Sequence, residues 1–187
     1  MVAVPLERFL WQCKSLHRFP VLSSSLPCPP LANYTCSNPY RNNTTGEIMA
    51  MKEFMPHQSS SLVASTFTRE IEIVSKLRHP HVVGYLGTCT YKGGLRIFME
   101  YCPAGSLREF LDDFGPLNMT SVSAFTRQVL LGLSFLHHRG VAHRDVKGAN
   151  VLIVADTLNG PKSCNVDSIT LKLADFGSAR DLCSESR

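Results

Sequence analysis

Hydrophobic patterning predicts an α+β fold: a small strand-rich part, then a part led by helices. Three observations carry this expectation. Strand-like runs gather before residue 102, at 48–54, 82–91 and 95–101, with one helical stretch among them. Two helical patterns bounded by caps and glycines fill residues 106–139. Two short polar loops then flank a hairpin pattern whose second strand is the run 169–173.

Taken in order, residues 1–45 form a divergent N-terminal segment. Ser23, Ser24, Ser25, Pro27, Pro29, Pro30 and the polar run 38–45 interrupt any period. Only a short helix near 6–11 is discernible, and the segment is expected to be poorly ordered. Thr45-Gly46-Glu47 reads as a turn leading into a strand over 48–54. Phe67, Ile71 and Val74 then recur at helical spacing, with Ser65 or Thr66 as cap and Pro80 as the limit. Lys92-Gly93-Gly94 reads as the turn of a hairpin between the next two strands.

Ser106 caps a short helix running to Phe114, and Gly115-Pro116 stops it. Thr120 caps a longer helix to about Arg139, with Gly140 beyond its end. Val129, Leu130, Leu131, Leu133, Phe135 and Leu136 surround that helix on nearly every side, the mark of a helix built to be buried.

Composition narrows the function classes. The 187 residues are 44% hydrophobic and 18% charged, enough for one domain with a sizeable core. A net charge of +4 without basic blocks or interleaved aromatics argues against a nucleic-acid partner. The seven cysteines form no C-x-x-C pair and no zinc spacing with histidine, as for free thiols in a reducing compartment. Glu7 and Arg8 interrupt the start before a signal-type apolar run, and no run is long enough to span a bilayer. A cytoplasmic protein without a membrane partner is expected.

The chemistry concentrates in His143-Arg144-Asp145-Val146-Lys147-Gly148-Ala149-Asn150 and in Asp175-Phe176-Gly177. Two carboxylates, a lysine and a carboxamide in two loops are the inventory that phosphoryl transfer needs, since that reaction is mostly positioning and charge neutralisation. One Asp can accept the proton of an incoming hydroxyl while a Lys neutralises the moving phosphoryl group. Asn and the second Asp are hard oxygen ligands suited to Mg2+.

These loops resemble the H-R-D-L-x-x-x-N and D-F-G signatures of protein kinases, with Val146 where Leu is usual. The resemblance covers about residues 46–180. It is nearest the serine/threonine kinases of the mitogen-activated protein kinase kinase kinase group, through residues 46–53 and 146–150. It implies a two-lobe fold: a partial small lobe over 46–101 and the start of the large lobe over 102–187. Asp145 then corresponds to the catalytic base and Lys147 to the phosphate-neutralising residue. Asn150 and Asp175 correspond to the metal ligands.

By the same resemblance Lys52 holds the α- and β-phosphates and pairs with Glu70, preferred over Glu72 for its spacing to Pro80. Met99 guards the back of the adenine pocket, Glu100 and Cys102 form the hinge, and Ala50 and Leu152 sandwich the adenine ring. For these apolar positions core packing is an equally good reading. Val74, Tyr85, His143 and Phe176 match the family's hydrophobic stack. The implied cofactors are ATP and Mg2+, and the implied partner is a protein substrate, a downstream kinase among the candidates.

Three departures accompany the resemblance. No glycine precedes Gly46, and Ser25-Leu26-Pro27-Cys28-Pro29-Pro30 stands where a glycine-rich phosphate loop belongs. Prolines lack the N–H groups that would cradle phosphate. Beyond Gly177 the chain runs only to Arg187, so a partial large lobe and an uncovered helix over 120–139 are expected. A surplus around 155–168 lengthens the hairpin between Asn150 and Asp175, at little entropic cost. The leading expectation is ATP-dependent phosphorylation of protein Ser or Thr in a signalling cascade. The alternatives are a non-catalytic kinase relative and a fragment of a longer active kinase.

Overall fold

The computed structural model describes residues 38–42, 45–54, 61–91, 94–155 and 169–182. The expected helix near 6–11, the segment in place of the glycine loop, the turn residues Lys92 and Gly93 and most of the 155–168 insertion lie outside them. The described residues divide into two compact units. One holds residues up to Ile71 together with Tyr85–Tyr101; the other holds Glu72–Gly84 and the chain from Cys102 onward.

The first unit is built on an antiparallel four-stranded sheet. Its strands are β1 (Asn38–Arg41), β2 (Ile48–Phe54), β3 (Tyr85–Tyr91) and β4 (Gly94–Glu100), in the spatial order β1-β2-β4-β3. β2 matches the expected strand. β1 lies within a run that reads as breakers, because its partner rather than its own pattern makes it a strand. Among the described residues it lies at the edge of the sheet, the position in which a proline such as Pro39 is tolerated. Gly46, at φ 74°, supplies the turn between β1 and β2, and its N–H bonds the Asn42 carbonyl at 2.7 Å.

Register sorts the side chains of this sheet. Ala50 lies opposite Met99 and Lys52 opposite Ile97, so these four share one face. Met49, Cys89 and Phe98 form a buried cluster, with Tyr40 and Met51 packed against it. Helix α1 (Ser61–Val74) begins earlier than expected, so Ser65 and Thr66 lie inside it rather than capping it. Pairing in β3 begins only at Tyr85, because Val82 and Val83 are engaged elsewhere.

That engagement lies in the second unit. The Val83 N–H bonds the Leu173 carbonyl at 2.9 Å and the Leu173 N–H bonds the His81 carbonyl at 3.0 Å. These bonds tie Glu72–Gly84 to the second unit, whereas the sequence reading gives all of 46–101 to the first. The unit also contains α2 (Leu107–Phe114), α3 (Met119–His138) and four short strands: β5 (Val141–Ala142) pairs with β8 (Arg180–Asp181), and β6 (Val151–Ala155) pairs with β7 (Ile169–Leu173).

Ser106 caps α2 as expected, in a full capping box. The Glu109 N–H reaches the Ser106 hydroxyl at 3.2 Å, and the Ser106 N–H reaches the Glu109 carboxylate at 2.7 Å. Gly115, at φ 80°, ends the helix. Asn118, not Thr120, caps α3: its side-chain oxygen accepts from the Ser121 N–H at 2.9 Å. Phe125, Gly132 and Leu136 are buried, whereas Met119, Val122, Leu130 and Leu131 are exposed. The apolar residues of α3 therefore divide between a buried stripe and a solvent-facing one. β7 alternates strictly, with Ile169, Leu171 and Leu173 buried, the period of a half-buried strand.

Candidate active site

Each unit carries its own share of the sequence-expected residues. Lys52, Glu70, Ala50, Met99 and Glu100 belong to the first; Cys102, Asp145, Lys147, Asn150, Leu152 and Asp175 belong to the second.

In the first unit, alternation along β2 places Lys52 on the same face as Ala50 and Met99. The Lys52 Nζ donates to both carboxylate oxygens of Glu70, at 2.8 and 2.9 Å. Both side chains are buried. A charge taken out of water in this way is tolerated because it is paired and hydrogen-bonded. Glu72 is exposed. Two residues along a helix turn a side chain about 200° away, so Glu70 and Glu72 cannot share a face. Ala50 is buried, and Met99 and Glu100 are half-buried near the end of β4.

The second unit gathers the loop residues tightly. After β5, Arg144 takes φ 68°, a left-handed turn that non-glycine residues rarely adopt. His143 is 1% exposed and packs its ring against Phe176, with centroids 5.0 Å apart. Its Nε2 donates to the Ala174 carbonyl at 3.0 Å, and its Nδ1 accepts from the Asp145 N–H at 3.4 Å. Those roles belong to the neutral ring. Burial pushes the imidazole pKa below its usual value, outweighing the Ala174 carbonyl and the carboxylates of Asp175 and Asp145, which favour the cation. His143 thus bridges the two loops.

Asp145 collects three side-chain interactions. Lys147 Nζ donates to its Oδ2 at 2.8 Å. Asn150 Nδ2 donates to the same Oδ2 and to the Asp145 carbonyl, each at 2.9 Å. The Lys147 hydrogen bond, with help from Asn150, holds the Asp145 carboxyl below the usual carboxylate range, and the carboxylate in turn raises the Lys147 pKa. The ion pair is largely solvent-facing, so its worth to folding is small. Its value is geometric: an ionised carboxylate beside an ammonium.

Asn150 is buried at the end of a 3-10 turn, Gly148–Asn150. It spends its nitrogen on Asp145, which leaves Oδ1 as the atom it can offer a cation. Its carbonyl accepts from the Ala174 N–H at 2.9 Å, which sets Asp175 one residue farther along. Asp175 is exposed and left-handed at φ 60°, and caps the turn Phe176–Ser178 through a 3.4 Å bond from the Gly177 N–H. Among the described residues no three His, Cys, Asp or Glu side chains form a metal cage. A carboxylate and a carboxamide nonetheless fit Mg2+, which takes few protein ligands and keeps its waters.

Cys102 is buried and its carbonyl accepts from the Gly105 N–H at 3.3 Å. Leu152, half-buried in β6, forms a bridge with Ser106. Two positions absent from the sequence reading also make side-chain bonds to β7. Gln128 and His81 bond the outer edge of β7, the strand that delivers Asp175. The available signal is a lone polar amide in the apolar stripe of α3.

The model of the protein kinase domain matches residues 33–187. Mitogen-activated protein kinase kinase kinase A of Dictyostelium discoideum is 39% identical over 150 residues, covering 78% of this chain and 14% of that protein. Mitogen-activated protein kinase kinase kinase ANP1 of Arabidopsis thaliana is 35% identical over 147 residues, covering 75% and 20%. Mitogen-activated protein kinase kinase kinase 19 of Homo sapiens is 35% identical over 141 residues, covering 73% and 10%. The chain thus spans a fifth or less of the length of these relatives. With the family match over most of its length and both loops assembled as described, the chain belongs to the protein kinase domain family.

Proposed function

We propose that this chain carries ATP-binding and catalytic residues of a protein serine/threonine kinase working in a signalling cascade, with a downstream kinase as the protein substrate. The observation that supports it best is the Asp145–Lys147–Asn150 arrangement, an ionised carboxylate whose neighbours are an ammonium and an amide. Asp145 accepts the proton of a Ser or Thr hydroxyl as its oxygen forms a bond to the γ-phosphorus and the bond to ADP breaks. Lys147 offsets charge on the transferred group. Lys52, fixed by Glu70, orients the α- and β-phosphates, and Ala50, Met99, Glu100, Cys102 and Leu152 receive the adenine. Asn150 and Asp175 would hold Mg2+, which neutralises phosphate charge when bound.

The domain division follows from this reading, with the small lobe ending at Tyr101 and the large lobe beginning at Cys102. No helix among the described residues is long and apolar enough to cross a membrane. The test is a titration of ATP against the chain with and without Mg2+, repeated on Asp175→Ala. Mg2+-dependent binding that the variant loses supports the reading. Equal binding in both, or none, overturns it.

A further inference from the structure

β7 has two edges. Its inner edge pairs with β6, Leu152 lying opposite Lys172 and Val154 opposite Thr170. The N–H and C=O groups of Ile169, Leu171 and Leu173 point the other way, where an open edge would leave them without partners. No strand lies there among the described residues, yet the Ile169 carbonyl and both backbone groups of Leu171 and Leu173 have partners.

The carboxamide of Gln128, from α3, donates its Nε2 to the Ile169 carbonyl at 2.9 Å and accepts from the Leu171 N–H at 2.7 Å. The His81 imidazole donates from Nδ1 to the Leu171 carbonyl at 2.9 Å. The backbone of His81 and Val83 then takes the N–H and C=O of Leu173. Gln128 offers one donor and one acceptor in the geometry of a peptide group, so it serves as a one-residue surrogate strand. One helical turn further, Gly132 lets α3 approach: a Cβ there would lie 2.8 Å from the His81 carbonyl oxygen and 2.9 Å from Leu173 Cδ1. Apolar contact between α3 and β7 is non-directional, whereas the two bonds of Gln128 are directional and favour one register.

We propose that Gln128 is a positioning residue for Asp175. Its amide sets β7 lengthwise on α3, and Leu173 and the Ala174 bonds to Asn150 and His143 pass that setting to the metal-binding loop. The proposal rests on the reading of Asp175 as a metal ligand.

Amide hydrogen exchange of the full chain by NMR tests it, with Gln128→Met, which keeps volume and loses both bonds, and Leu136→Val as a control for weakened α3 packing. In Gln128→Met the Leu171 N–H should exchange on the order of tenfold faster. The acceleration should continue through Leu173 to Ala174, and the Mg2+ midpoint for ATP binding should rise several-fold. Leu136→Val, compared at matched melting temperature, should leave that midpoint in place. Should Gln128→Met fail to fold, Gln128→Leu, which likewise loses both bonds, carries the same comparison.

Acceleration confined to Leu171, or a Mg2+ midpoint moved equally by both variants, would overturn the positioning role. If the unaltered chain shows no Mg2+-dependent binding, the metal reading fails by itself. The exchange at Ala174 then still decides whether Gln128 governs this loop.

Discussion

Lys52 and Glu70 meet through both carboxylate oxygens at 2.8 and 2.9 Å, with both side chains withdrawn from solvent. Eighteen residues separate them, so the pair ties α1 to the sheet.

Breaking one side of this pair should be worse than removing both. Glu70→Ala leaves an ammonium buried without its partner and should cost about 3–5 kcal/mol. Lys52→Met combined with Glu70→Leu should recover much of that loss while abolishing Mg2+-ATP binding. Urea unfolding of the three proteins decides the matter: a double variant no more stable than Glu70→Ala would contradict this account.

On the proposed function, Asp145→Asn removes the proton acceptor but keeps the size of the side chain. Phosphate transfer to a Ser/Thr peptide should fall about 10²–10⁴-fold, the usual worth of general acid–base catalysis. ATP affinity should stay within about twofold, because the proposed base acts on the acceptor hydroxyl and not on the nucleotide. Label recovered as phosphoserine or phosphothreonine agrees with Lys147 beside Asp145; phosphotyrosine as the main product would overturn that assignment.

Stability should depend on pH through His143. Its pKa is lowered in the folded state, chiefly by burial, so the unfolded chain takes up the proton first. The native state is therefore favoured fully above about pH 6.5, the ordinary histidine value, and loses stability as pH falls from there toward the lowered pKa. His79, lowered chiefly by burial and also by His81 and Lys172, acts in the same direction. Unfolding midpoints between pH 5 and 8 should flatten in His143→Phe and, separately, in His79→Phe. An unchanged slope in His143→Phe would show that the ring titrates as in water.

Gly132→Ala tests the close approach of α3. The added methyl improves helix propensity by about 1 kcal/mol but meets a backbone oxygen that cannot turn aside. Overpacking of this kind costs about 1–3 kcal/mol. A net loss of stability in thermal or denaturant melts is expected, and a gain would mean that the helix and the His81 carbonyl are not held so close.

Local signals in the sequence were enough for β2, β7, the capped helix α2 and both loops that carry Asp145, Asn150 and Asp175. Period-2 alternation, a capping serine and short polar motifs each act within a few residues, so they can be read in a line of letters. Glu70 was legible by its spacing to Pro80. What tertiary structure decided is whatever depends on a partner distant in sequence. β1 became a strand because β2 offered it an edge, and residues 82 and 83 left the expected strand because Leu173 offered better-placed backbone groups. Asn118 took the cap from Thr120 because its side chain reached the Ser121 N–H. Gln128 is the clearest case: its carboxamide gains its role only when folding brings the open edge of β7 against it, since directional hydrogen bonds need both partners in place and sequence proximity supplies only one.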